Sequence, residues 1–270
     1  MKTISKNDDK AGVEYWDRTD RNVTKEGSAF SPLPGIRGFG RRSWHVFFQE
    51  SLGQYSNQGA DLLELGCGGS AFLPYFARRF GFSVSGIDYS KNGIETERQI
   101  CESHDVDCTL YCSDIFSPPQ ECLGRFDVVV SFGVLEHFTD TESTLRSFSN
   151  FLRPGGRLLT VVPNMKGLCG FGQKLIAPDI YSIHETLDIE RIKTAHLGAG
   201  LDLDYVKYFL FSNFGVINPG SNSDPIRWVL FHGLRAVTAI SWCAESIFGQ
   251  FPANRWTSPY LISIATKPMN

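Results

Sequence analysis

The sequence predicts a doubly wound α/β fold: one mainly parallel, seven-stranded sheet with helices on both faces. Three observations carry this. From residue 61 onward, apolar runs of strand length alternate with amphipathic stretches of helix length. Gly66, Gly68 and Gly69 follow the first apolar run directly, where such folds turn from strand to helix beside a ligand. Acidic side chains, Asp88 and Asp114, then stand at the ends of the second and third runs, on the edge where ligands of open parallel sheets bind. Strands alternating with helices imply parallel pairing, because right-handed crossovers lay the helices over both faces.

The elements follow in order. Residues 1–30 are polar apart from Val13, Tyr15 and Trp16, with a short helix expected around 13–20. The Pro- and Gly-rich segment 31–42 reads as a loop. Trp44, Val46, Phe47, Phe48 and Leu52 then give a helix against the core, ending near Gly53. Strands are expected over 61–66, 83–88, 108–114, 126–133 and 157–163, with helices over 72–80, 92–103 and 141–152 between them. A helix over 189–197 precedes two last strands, 201–210 and 259–267. Those strands would ordinarily form a near hairpin, yet a long insertion separates them. In it Asp224-Pro225 reads as N-cap and first helical position, and an apolar helix continues to Gly249. The chain is therefore divided into an N-terminal helical lid and substrate cap (1–58), a core (59–212 and 258–270) and a helical insertion within the same domain (213–257).

With 42% hydrophobic and 20% charged residues, disorder, coiled coil and collagen are disfavoured. Lys and Arg number 26 against 29 Asp and Glu, a net charge of -3, so no positive field favours nucleic acid. The opening residues contain no apolar signal-like run, which leads us to expect a cytoplasmic protein. Seven cysteines without a CxxC pair read as reduced thiols, and Cys67 as a small residue that fits its loop.

The glycine loop alone leaves two cofactor classes open. Gly66-Cys67-Gly68-Gly69-Ser70-Ala71 satisfies the dinucleotide pattern GxGxxA as written, and a bidentate acid such as Asp88 serves the ribose of either class. Two further acids lean away from a dinucleotide. Glu64 sits inside the otherwise apolar strand Leu62-Leu63-Leu65, where a carboxylate is costly unless a cationic group meets it. Asp114 is placed to accept from an adenine amino group, with Ile115 packing on the ring.

Taken together, Glu64-Leu65-Gly66-Cys67-Gly68-Gly69, the Asp88 strand end, Ser113-Asp114, the run from Phe126 to His137 and Leu152-Arg153-Pro154-Gly155-Gly156-Arg157-Leu158 resemble the ordered motifs of S-adenosylmethionine-dependent methyltransferases with the Rossmann-like fold, of the small-molecule type. The resemblance spans roughly 60–210 and the final strand; one departure is Ser70 in place of the loop's usual last glycine. It implies S-adenosylmethionine as cofactor and S-adenosylhomocysteine as product. Glu64 would orient the amino end of the methionine moiety, Gly66 and Gly68 would let the backbone pass close, and Asp88 would take the ribose hydroxyls. Tyr89 would cover the adenine, Asp114 and Ile115 would hold it, and Ser131, Phe132 and Gly133 would line the sulfonium end.

Methyl transfer is an in-line displacement, so positioning dominates, but a hydroxyl acceptor invites a base. Of six histidines, His104 and His196 fall near helix ends and read as caps or solvent-facing residues. His137, directly after the fourth strand, and His184, on the ligand edge after the fifth, are the candidate bases. Glu136-His137 also resembles the metal-assisted small-RNA methyltransferases and the ubiquinone O-methyltransferases, but their acid three residues earlier is Gly133 here, so no metal is expected. Tyr15-Trp16-Asp17 resembles the aromatic-aromatic-Asp opening of small-molecule methyltransferases, whose first helix closes over the cofactor. Arg37, Arg41 and Arg42 form the dense basic cluster, with Arg41 offered to an anionic acceptor.

The insertion helix has so broad an apolar face that it needs a cover, while its Arg227, His232, Arg235 and Glu245 argue against a membrane span. Roofing an apolar acceptor pocket, packing in a homodimer through 225–248 and lying on a membrane surface are its three readings, in that order. The expected function is methyl transfer to a small molecule, foremost a hydroxyl oxygen of a sugar, glycolipid precursor or natural product. The rivals are N- or C-methylation, a catalytically silent scaffold subunit, and a dinucleotide oxidoreductase.

Overall fold

The computed structural model describes residues 9–18, 35–220 and 224–269. Seven strands, β1 (Asp61–Leu65), β2 (Ser83–Asp88), β3 (Cys108–Cys112), β4 (Phe126–Phe132), β5 (Leu152–Pro163), β6 (Asp202–Phe209) and β7 (Tyr260–Thr266), form one sheet in the order β3-β2-β1-β4-β5-β7-β6. The first five pair in parallel, and β7 inserts antiparallel between β5 and β6. Strand order therefore reverses between β1 and β4, and the carboxyl ends of those strands open the crevice in which such sheets bind ligands.

The alternation of side chains along each strand fills two layers. Leu62, Val128, Val130, Ile262 and Ile264 point to one face, under α2 (Phe39–Leu52), α3 (Phe72–Phe80) and α4 (Lys91–Ser103). Leu63, Leu65, Val129, Leu158 and Leu261 point to the other, under α5 (Thr141–Ser149) and α8 (Ile189–Gly198). Phe48, Phe76, Phe80 and Phe148 are fully buried in these layers, each worth roughly 3–5 kcal/mol against truncation to Ala.

Several expected boundaries shift for local reasons. Helix α1 (Val13–Arg18) lies within the expected stretch; residues 19–34, with part of the expected loop, lie outside the described residues. That loop expectation is corrected at its end, where a 3-10 turn (Ile36–Gly38) leads straight into α2 at Phe39. Phe39 is buried and stacks on Trp242, a tertiary contact that outweighs two nearby glycines. Strand β5 begins five residues early, at Leu152, and runs through Pro154-Gly155-Gly156 with a register irregularity against β4. Two helices were not expected at all, α6 (Leu168–Ile176) and α7 (Pro178–Ser182). Three glycines mask α6, yet Gly170 is required there, because a Cβ would meet Met165 O at 2.0 Å.

The insertion forms α9 (Pro225–Phe248), a 24-residue helix capped by Asp224, whose side chain accepts from the amides of Ile226 and Arg227. It packs on α6 and on the 3-10 turn Phe214–Val216; Thr238 Oγ1 accepts from Phe214 N and Trp242 Nε1 donates to Ser212 O. No helix among the described residues is long and apolar enough to cross a membrane.

Candidate active site

The site is built where β1 and β4 part. Gly66 turns the chain off β1 with φ +70, its amide donating to Ile87 O, and a Cβ there would sit 2.5 Å from Val134 Cγ2. Positive φ and crowding together admit only glycine. A Cβ at Gly68 would meet Asp88 Oδ2 at 2.6 Å and the Gly93 backbone at 2.9 Å, because the loop presses against the start of α4. Asp88 holds the loop closed: Oδ2 accepts from Gly68 N and Oδ1 from Ser90 N, and the side chain is 8% exposed. Cys67 is fully buried; burial first, then Glu64 and Asp88, push its thiol well up, which removes it as a nucleophile.

A cavity of about 210 Å³ opens beside this loop, lined by Asp9, Trp16, Gly66, Asp88, Tyr89, Ile115, Phe132, Gly133, Val134, His137 and Phe138. Eight of the sequence-predicted positions thus come together: Trp16, Gly66, Asp88, Tyr89, Ile115, Phe132, Gly133 and His137. Others stand behind the lining. Glu64 is buried in β1, Gly68 lies under Asp88, and Ser131 is buried in β4 with no hydrogen-bond partner for its hydroxyl among the described residues. Asp114 Oδ1 accepts from Phe116 N and shapes the turn that presents Ile115. Tyr15 meets Trp16 edge to face at 5.0 Å. Arg41 lies on α2 away from the cavity, and its neighbour Arg42 donates to Gly35 O.

His137 sits in a 3-10 turn (Leu135–His137), 4% exposed, with Trp16 edge-on at 5.2 Å. Its Nδ1–H donates to Ile183 O at 3.0 Å, and His184 Nδ1–H donates to Ile180 O at 2.6 Å, so Nε2 is the basic nitrogen of each ring. The rings lie 4.8 Å apart; His184 supports His137 and does not itself line the cavity. Burial, then the neighbouring His184, lowers His137 to about 4, and burial lowers His184, leaving both neutral at physiological pH. Glu136, fully buried, is raised to about 8 by burial, and its Oε2 has no hydrogen-bond partner among the described residues. Donor atoms of Glu136, His137 and His184 lie within 4.8 Å of one another, while Gly133 supplies no fourth side chain. His196, read as a cap or solvent-facing residue, is instead a core histidine: it is 0% exposed, with Nδ1 on Ile192 O and Nε2 at Ser263 Oγ.

Sequence reasoning missed the strap that closes the site. Asp9 bridges to Phe138 and accepts from Tyr89 Oη, while the Lys10 amide donates to His137 O. Lys10 Nζ donates to His184 O and Glu185 Oε1, and Ser90 Oγ donates to Asp17 Oδ1. Nothing in the polar run around Asp9 distinguishes it from a frayed end. Also in the lining are Val134, hidden inside the run that ends in His137, and Phe138, which directly follows it. The insertion helix was expected first as a roof over the acceptor pocket; that reading is corrected, since no α9 residue lines the cavity.

A methyltransferase domain model matches residues 40–197. Among curated proteins, the chain is 33% identical over 107 residues to a ubiquinone biosynthesis O-methyltransferase of Caulobacter vibrioides, covering 40% of this chain and 42% of that protein. It is 28% identical over 115 residues to the protein of the same name from Coxiella burnetii, covering 42% and 48%. The chain thus spans less than half the length of the curated relatives it matches. Among solved structures it resembles geranyl diphosphate C-methyltransferase from Streptomyces coelicolor, solved with Mg2+, geranyl-S-thiolodiphosphate and S-adenosylhomocysteine (TM-score 0.62, 14% identity, 99% of this chain and 100% of that one). It also resembles phosphoethanolamine N-methyltransferase 2 of Haemonchus contortus, solved with S-adenosylmethionine (TM-score 0.62, 17% identity, 98% and 60%). With that fold, the glycine loop closed by Asp88 and a domain model covering most of the chain, the protein belongs to the S-adenosylmethionine-dependent methyltransferases.

Proposed function

We propose that this chain moves the methyl group of S-adenosylmethionine to a hydroxyl oxygen of a small acceptor, with His137 as the base. The observation that carries the reading is His137 itself: a cavity-lining, neutral imidazole whose Nδ1–H is committed to Ile183 O, leaving Nε2 to take a proton. The acceptor O–H proton passes to Nε2, the oxygen attacks the methyl carbon, and the C–S bond breaks with its electron pair on sulfur. The positive charge lost at the sulfonium reappears on the imidazolium, so the buried site never holds an added net charge. Asp88 and Tyr89 take the ribose and adenine, Glu64 the methionine end, and Asp114 with Ile115 the base edge.

The relatives that carry O-methyltransferase names support oxygen as the acceptor atom. Among sugar, glycolipid precursor and natural product, the apolar lining from Trp16, Val134 and Phe138 favours an apolar or aromatic natural product. Of the N-terminal lid, residues 9–18 carry the closure, while α2 packs into the core layer of the sheet; 59–212 with 258–270 serve as the core and 213–257 as an insertion, acting in the cytoplasm on a small molecule. Formation of S-adenosylhomocysteine with phenolic and saccharide acceptors tests this; undiminished turnover in His137→Ala would remove the base.

A second reading rests on the Glu136, His137 and His184 cluster. A divalent cation held there would polarise the acceptor oxygen. Turnover that survives exhaustive chelation separates the base from the metal. Self-association through α9 and its contact with a membrane surface are each compatible with either chemistry.

A further inference from the structure

The outer side of α9 is apolar from end to end. Ile226, Leu230, Gly233, Val237, Ile240, Ala244 and Ile247 recur at alternating steps of four and three, the spacing of a helix-pairing seam. Ile226, Ile240 and Ile247 are 79%, 68% and 75% exposed. No charged side chain interrupts the seam. The inner side is anchored to the fold through Thr238 and Trp242, so the seam faces away from the rest of the described residues.

Gly233 supplies the second observation. It sits mid-helix, where glycine weakens a helix, and among the described residues nothing lies within 4 Å of where its Cβ would be. The fold gives no reason for a glycine here; close approach of another helix does.

We propose that this seam is the interface of a homodimer in which two copies of α9 pack antiparallel about a two-fold axis. The seam positions are nearly symmetric about Val237, and antiparallel pairing sets large against small on either side of it. Gly233 receives Ile240 of the partner subunit, Leu230 receives the partner's Ala244, and Ile226 meets the partner's Ile247. Val237 lies at the axis. Antiparallel helix dipoles align favourably as well. A stable homodimer hides roughly 800 Å² on each partner, more than the few hundred Å² of apolar surface that monomers usually expose. A helix about 36 Å long with its whole outer face apolar is on that scale.

A bilayer fits less well. Helices lying on membranes carry several Lys or Arg along the border of the apolar face. Here Arg227 is held by Ile176 O and Asp224, leaving Arg235 and His232 at the border. The dimer holds whatever acceptor the active site takes.

Sedimentation of the full chain should give twice its 30.2 kDa mass. Ile240→Glu, which replaces an exposed side chain, should give a folded monomer with unchanged circular dichroism. Gly233→Leu, with open space around it in the chain, should weaken dimerisation 100-fold or more while the monomer stays folded. In a Cys243→Ser background, Val237→Cys should cross-link under oxidation. Ile226→Cys should not, because antiparallel pairing sets the two Ile226 at opposite ends; its cross-linking would overturn the register. A monomeric wild-type chain at tens of micromolar would overturn the dimer. So would a monomer that floats with phosphatidylglycerol vesicles and loses that property in Ile240→Glu.

Discussion

Helices α1 and α9 are both additions to the same sheet, and they attach by opposite means. The short α1 and the strap before it are held by directional polar contacts to the ligand edge: Asp9 to Tyr89, Lys10 to Glu185, Asp17 to Ser90, with Trp16 against His137. The long α9 touches no part of the cavity; it is anchored along one side through Thr238 and Trp242 and leaves the other side apolar and exposed. The difference teaches what each element can do. Contacts made of a few exchangeable hydrogen bonds can open and close with a ligand, because each contributes only about 1 kcal/mol net. A wide apolar face is covered once and stays covered.

The sharpest way to test that division begins at the cradle beneath α1. Asp88→Ala should weaken S-adenosylhomocysteine binding by roughly 100-fold or more, since it removes both the ribose acceptor and the clamp on Gly68 and Ser90 amides. Calorimetry reads this directly, and an unchanged affinity would detach the glycine loop from the cofactor. His137→Ala should come next, lowering kcat by roughly 100-fold with little change in cofactor KM, as steady-state kinetics would show.

Stability against pH offers a third measurement. Glu136 is raised from 4.5 to about 8, so the folded chain keeps a proton that the unfolded chain releases. Its contribution is full below about pH 4.5 and is lost as pH rises toward 8, a few kcal/mol at most. His137, lowered from 6.5 to about 4, acts in the opposite sense: its contribution is full above 6.5 and is lost as pH falls toward 4. Glu136→Gln should therefore flatten the fall in Tm between about pH 5 and 8 and leave the acid limb in place. The smallest effect belongs to the strap. Asp9→Ala should raise the acceptor KM by roughly 5-fold, about 1 kcal/mol, through loss of the Tyr89 contact. Ile240→Glu on α9 should leave kcat per chain where it was; a matching loss there would erase the contrast between the two helices.

Much of the site was legible because its determinants are local. A strand that ends in glycines, acids at the next two strand ends and a histidine after the fourth all lie within a few residues of their strands. The strap was not legible: Asp9 and Lys10 gain meaning only from Tyr89, His137 and Glu185, distant in sequence. His196 misled for the same reason, since its burial comes from β7 through Ser263 rather than from its place near a helix end. Helix α6 was hidden by three glycines, one of which is there to let Met165 approach.

By itself, the sequence determined the order of the strands and of the helices other than α6 and α7, the glycine turn, the acids beside it and the extent of α9. Each follows from periodicity, capping or backbone freedom, which act over one or two turns of chain. The tertiary structure decided which histidine lines the cavity, which tautomer it holds, what clasps the lid and which side of α9 is left bare. Those depend on burial and on partners far away along the chain, and no local pattern encodes them.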